Sequence, residues 1–208
     1  MSDRKKILIA GVGGQGIVYL TNIIAEAAML SGIPVSVSEI HGLSQRGGVV
    51  TAGIGLGEHC TGFYGKAGVD LLIGLEPLET QRCLPYLHKN SSVIFGSHRI
   101  QPYSVNAQMA EYPDVNSFVN YLKDQCKEVI FIEHFPETVD SVLQNIFLLG
   151  RATRMKDFPL KKEKIVEAIN STVMGYYKEK TLNVFKQGIE FELDLKSNEI
   201  FATKAQRH

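Results

Sequence analysis

Residues 5–40 read KKILIAGVGGQGIVYLTNIIAEAAMLSGIPVSVSEI, and the succession of patterns in them decides the fold. Lys5 to Ala10 is a short run of leucine and β-branched residues that ends in glycines, the mark of a buried first strand. From Gln15 to Ser31 the spacing turns helical, with Ile17, Leu20, Ile24, Ala27, Ala28 and Leu30 recurring on one face and Gly32 as a natural stop. Pro34 to Ile40 predicts a second strand. Strand, glycine turn, helix and strand in that order predict a right-handed βαβ unit.

The pattern continues along the chain. Val49–Leu56, Val69–Leu75, Ser92–Phe95 and Val129–Ile132 read as strands. Helices are predicted over Pro77–Leu87, Asn116–Gln125 and Thr138–Met155. This alternation predicts an α/β, Rossmann-like fold with a mostly parallel sheet and helices on both faces. Beyond Met155 the strands stop, and Lys161–Thr172 and Thr181–Phe191 read as helices. The expected organisation is a single domain over residues 1–208, with an α/β core at 1–156 and a helical C-terminal extension at 157–208.

Composition narrows the function. The 208 residues are 44% hydrophobic and 21% charged, and 22 basic residues balance 22 acidic ones. Nucleic acid is therefore not expected as a partner, because phosphate neutralisation needs a basic surplus or stripe. No apolar run approaches the roughly 20 residues that span a bilayer, so no membrane partner is expected. The first apolar stretch breaks at glycine too early for a signal peptide, which predicts a cytoplasmic protein. Three widely spaced cysteines, Cys60, Cys83 and Cys126, form no CxxC pair. They are too few for an iron–sulfur cluster, which takes about four thiolates, and the six histidines show no HxxxH or HExxH spacing. No metal site is expected in this chain.

Gly11-Val12-Gly13-Gly14-Gln15-Gly16 satisfies G-x-G-x-x-G between a strand and a helix. Glycines at such a turn let backbone N–H groups approach an anion, and Glu39 stands where a dinucleotide site wants its acid. Two readings stay open for Gly11, Gly13, Gly14 and Gly16. One is a backbone cradle for a phosphate; the other is close helix–strand packing, in which a valine at Gly13 would clash. Glu39 runs into Ile40-His41-Gly42-Leu43-Ser44-Gln45-Arg46-Gly47-Gly48, a glycine-rich loop with no counterpart in the dinucleotide fingerprint. Glu39 and His41 lie two apart on an extended segment, so they share a side.

GVGGQGIVYLTNIIAEAAMLSG followed by VSEIHGLSQRGGVVTAGIGLG resembles the gamma-type domain of the 2-oxoacid:ferredoxin oxidoreductases. The EIHG-x-SQRGG form is similar to the indolepyruvate branch of that family. The resemblance implies a small subunit of a thiamine-diphosphate-dependent indolepyruvate (arylpyruvate) ferredoxin oxidoreductase, supporting oxidative decarboxylation of an aryl 2-oxoacid to acyl-CoA. Thiamine diphosphate and iron–sulfur clusters are then expected in a large partner subunit, with electrons passed to ferredoxin through the complex. This chain would bind no cofactor firmly and carry no catalytic residue, although coenzyme A is a possible ligand of Gly11, Gly13, Gly14, Gln15 and Gly16 at the subunit junction. Glu39, His41, Ser44, Gln45, Arg46, Gly47 and Gly48 form the expected interface or ligand loop. Arg46 leads there, because a guanidinium between glycines offers a bidentate fork to a carboxylate or phosphate. Isolated, the chain would expose an apolar patch on which it can pair as a homodimer. Two alternatives belong to other classes: an independent NAD(P)- or FAD-dependent oxidoreductase using Gly11, Gly13, Gly16 and Glu39, and a non-catalytic nucleotide- or CoA-binding module.

Overall fold

A computed structural model describes residues 4–41 and 48–192, with His41 through its backbone alone. The elements in chain order are β1 (Lys5–Val12), α1 (Ile17–Leu30), β2 (Val35–His41), β3 (Val49–Leu56), β4 (Leu71–Gly74) and α2 (Pro77–Arg82). There follow β5 (Ser92–Gly96), the short α3 (Tyr103–Asn106), α4 (Val115–Gln125) and β6 (Glu128–Ile132). The chain closes with α5 (Gln144–Ala152), α6 (Lys162–Thr172) and α7 (Tyr176–Glu190).

The six strands form one sheet in the order β2-β3-β1-β4-β5-β6. β1, β4, β5 and β6 pair in parallel, whereas β3 pairs antiparallel with both β1 and β2. The α/β class and the predominance of parallel strands agree with the sequence reading, but the sheet is mixed. The strands of the expected βαβ unit are not neighbours, because β3 lies between β1 and β2. Chain length explains this: residues 42–48 are too few for a parallel crossover, which takes about a dozen or more. The strand after them must return antiparallel.

Alternate residues of each strand feed two cores. Ile7, Ile9, Ile54, Ile73 and Ile94 pack with α1 and α5–α7 on one face. Leu8, Ala10, Leu72, Val93 and Phe95 pack with Phe118, Val119 and Leu122 of α4 on the other. The second face of β2 and β3 carries an extended strap instead of a helix. A Cβ at Gly53 would overlap the Gly62 carbonyl, and one at Gly55 the Thr61 carbonyl. Ser38 Oγ donates to the Gly62 carbonyl at 2.7 Å, holding the strap down. The glycines of β3 thus make room for a second layer of backbone.

Two predicted helices are shorter than expected. Pro77–Leu87 stays α-helical only to Arg82 and ends in a 3-10 turn over Leu84–Tyr86, where Pro85 has no N–H to donate. Thr138–Met155 is not one helix. Val139 N bonds to Pro136 O and Leu143 N to Asp140 O in tight turns, and α5 begins at Gln144. α7 starts at Tyr176, ahead of the predicted Thr181. α6 and α7, placed in the extension by the sequence, supply Ile165, Ala168, Ile169, Val184 and Phe185 to the first core.

Candidate functional site

The carboxyl ends of the parallel strands meet at one end of the sheet, where the chain leaves β1 toward one side and β4 toward the other. Open α/β sheets bind ligands at such a switch point. The loop over residues 11–16 sits there, and its glycines divide into two pairs. A Cβ at Gly11 would come within 2.7 Å of Gln15 Oε1, and one at Gly16 would overlap the Asn145 amide. Gly16 also holds φ 74°, in the left-handed region. These two glycines are needed for packing. Gly13 and Gly14, in contrast, face open space: among the described residues only the Gly48 carbonyl, at 3.8 Å, comes near a Cβ at Gly13, and nothing lies near one at Gly14. The expected clash of a valine at Gly13 is thus not found among the described residues.

Side chains hold the loop. Gln15 Oε1 accepts from Val12 N at 2.8 Å while its Nε2 donates to Leu75 O at 2.9 Å. Asn145, buried in the first turn of α5, donates through Nδ2 to the carbonyls of Gln15 and Gly16 at 3.2 and 3.1 Å. Gln15 therefore acts as a brace, with its amide committed to the loop. The N–H groups of Gly14 and Gly16 have no partner among the described residues.

β1 and β3 bring the second motif to the same place. Val12 pairs with Val49, and Gly13 N donates to Gly48 O at 3.0 Å, so the end of the RGG segment lies against the GVGGQG loop. Ser44, Gln45, Arg46 and Gly47 lie outside the described residues, and His41 is placed only by its backbone pairing with Val50. Glu39 pairs with Ala52 on the outermost strand. Two strand spacings of about 4.8 Å separate that strand from β1. A dinucleotide fingerprint needs its acid on the strand next to β1, so Glu39 does not reproduce that geometry.

A cleft of about 230 Å³ opens beside Gly13 and Gly14. Leu75, Ile100, Phe135, Val142 and Leu148 give it apolar walls, and His98, Ser141 and Gln144 add polar groups. The amino ends of α1 and α5 both open on it, a positive setting for an anion. Sequence reading missed the wall residues because they come from three separate connections and from α5. The only signal for those outside α5 was that they follow a strand or lead into a helix.

Away from the cleft, Glu76 caps the amino end of α2, two residues past β4, and is 1% exposed. Its carboxylate accepts from Glu79 N at 2.9 Å and from the Tyr112 hydroxyl. Burial raises the Tyr112 phenol, helped by its bond to Glu76 and by that residue's charge. Burial likewise raises Glu79, against the pull of Arg82 at 2.8 Å. The Cys83 thiol is pushed up to about 12 by burial, which keeps it protonated and unreactive at neutral pH. Among the described residues no three His, Cys, Asp or Glu side chains converge as a metal site, and no helix is long and apolar enough to cross a membrane.

The model of the pyruvate ferredoxin/flavodoxin oxidoreductase family matches residues 6–191, and the chain belongs to that family. It is 34% identical over 188 residues to the indolepyruvate oxidoreductase subunit IorB of Archaeoglobus fulgidus, covering 89% of this chain and 94% of that one. The IorB subunit of Methanothermobacter thermautotrophicus is 32% identical over 185 residues, with 88% and 94% covered. Among solved structures, the gamma subunit of keto/oxoacid ferredoxin oxidoreductase from Geobacter sulfurreducens has the same fold, with a TM-score of 0.63 at 19% identity; it covers 89% of this chain and 96% of its own. The 2-oxoglutarate:ferredoxin oxidoreductase of Magnetococcus marinus, solved with 2-oxoglutarate, coenzyme A and succinyl-CoA bound, also scores 0.63 at 15% identity. This chain matches 30% of that longer one and is itself 90% covered. The gamma-type domain read from the two motifs is thus borne out.

Proposed function

We propose that this chain is the small subunit of an indolepyruvate (arylpyruvate) ferredoxin oxidoreductase in the cytoplasm. The observation that carries the reading is the near full-length likeness to IorB subunits, together with the folding of the GVGGQG loop and the end of the RGG segment onto one end of the sheet. The partner is a large subunit holding thiamine diphosphate and iron–sulfur clusters. Thiamine diphosphate, when bound there, supplies the carbanion stabilisation for decarboxylation, and electrons leave to ferredoxin. Arg46 and its neighbours form the contact with that partner.

In this reading the small subunit presents the cleft to coenzyme A. The N–H groups of Gly14 and Gly16, without a partner among the described residues, suit a phosphate, and the apolar walls suit the less polar part of the molecule. The cleft is too small for the whole cofactor, so one end lodges here and the thiol reaches the partner.

Purification of the tagged chain from its host under anaerobic conditions tests the reading. A stoichiometric large chain with thiamine diphosphate and iron–sulfur clusters, reducing a viologen dye with indolepyruvate, is the expected result. A lone chain carrying a dinucleotide would overturn it. Within the complex, Arg46→Glu is expected to weaken assembly or turnover while the chain still folds; unchanged assembly and activity would remove Arg46 from the contact.

A further inference from the structure

We propose that Glu76, buried outside the cleft, is a positioning residue that fixes the cleft's His98–Ile100 wall. This rests on the cleft being the coenzyme A site described above. Three observations carry it. Glu76 follows directly on Leu75, whose carbonyl is bound by Gln15, so it is anchored to the loop side of the cleft. Its Oε1 accepts from Ile100 N at 3.4 Å and from the Tyr112 hydroxyl, while Oε2 caps α2 through Glu79 N. Tyr112 in turn accepts from Leu78 N at 3.3 Å and carries the Arg99 guanidinium over its ring at 5.2 Å.

One carboxylate thus ties together three connections that have no regular pairing of their own: the start of α2, the segment after β5 and the segment before α4. Residues 98 and 100, which line the cleft, lie in the second of these. A loop without a ladder keeps its shape only through such contacts, and a hydrogen bond to a charged acceptor is the stronger kind. Fixing Ile100 from behind keeps the wall in place before a ligand arrives, which lowers the ordering cost of binding.

The test uses the full chain in complex with its large subunit and two variants, Tyr112→Phe and Glu76→Gln, beside a blocked cleft, Val142→Trp. Hydrogen exchange reads the wall directly. The Ile100 amide is expected to exchange roughly tenfold faster or more in Glu76→Gln, with β4 and β5 amides unchanged. Michaelis constants read the consequence. KM for coenzyme A is expected to rise severalfold in Tyr112→Phe while kcat stays near wild type, a split that simple loss of folded enzyme does not produce. Unchanged exchange at Ile100, or faster exchange spread over the whole sheet, overturns the positioning role. So does local loosening with KM for coenzyme A unchanged, provided Val142→Trp raises it. If Val142→Trp leaves KM unchanged, the coenzyme A reading of the cleft fails instead, and the exchange measurement alone decides whether Glu76 holds the wall.

Discussion

Gly16 and Gly13 stand in the same loop, yet a methyl group would meet opposite surroundings at the two. At Gly16 it would overlap the Asn145 amide on a backbone already at φ 74°, whereas at Gly13 it would come near only the Gly48 carbonyl, at 3.8 Å, among the described residues. Gly16→Ala is therefore expected to cost about 1–3 kcal/mol of stability, and Gly13→Ala to stay within about 0.5 kcal/mol of wild type. Urea unfolding of the two variants checks this; equal losses would mean that the loop is packed evenly. Glu79 offers a second residue-scale case. Its side chain is 6% exposed, Oε1 meets Arg82, and Oε2 is buried with no hydrogen bond among the described residues. Because burial raises the carboxyl, the folded chain holds its proton more tightly than the unfolded chain does. The stability from Glu79 is then fully present below the ordinary glutamate range and is lost as pH rises through the folded value. Glu79→Gln is expected to stabilise the fold at pH 7 and to lose that gain as the pH falls into the ordinary glutamate range. Melting temperatures measured across that range decide it, and an advantage that persisted in acid would point to packing.

At the scale of elements, α5 and α7 cross where each contributes a glycine. A Cβ at Gly150 would overlap the Phe185 carbonyl, and one at Gly188 the Phe147 carbonyl, so two backbones lie in direct contact. Phe147 and Phe191 close the same crossing with rings 5.2 Å apart. Gly188→Ala is expected to force the helices apart at a cost of about 1–3 kcal/mol, seen as a lower denaturation midpoint with unchanged helical content in the folded state. Neither glycine announces this role in the sequence, because each is explained only by a residue more than thirty positions away. The strand runs were legible for the converse reason: each carries its own period, and β3 is found at Val49–Leu56 as read. The place of β3 in the sheet was not read, although the short connection before it held the information. Of the site, the two loops were legible as motifs. The cleft wall was not, since His98, Ile100 and Phe135 meet only once the parallel strands are aligned.

On the whole-molecule scale the question is whether residues 157–208 are an appendage or part of the folding unit. α6 packs on α1 and α7 on α5, and both helices sit over the same sheet face as the amino-terminal half. Leu160, Ile165, Ile169, Val173, Val184 and Phe185 are each at most 6% exposed. At about 1.5–3 kcal/mol for each large apolar side chain buried, their removal withdraws on the order of 10 kcal/mol. That is comparable with the roughly 5–15 kcal/mol that holds a whole domain folded. It would also uncover Ile24, Ala28 and Phe147, apolar groups that now face α6 and α7 across the same core. A chain ending at Lys156 is accordingly expected not to fold: it should show no cooperative thermal transition and no slowly exchanging amides in β1 or β4. A stable, cooperatively melting 1–156 fragment would make the last two helices a detachable layer. The same argument places their function. Thr181 on α7 meets the Tyr19 hydroxyl at 3.1 Å, and α1, to which Tyr19 belongs, begins at the glycine loop. The carboxyl-terminal helices therefore brace the helix whose amino end faces the cleft, and loss of either should disturb the site before any ligand is present.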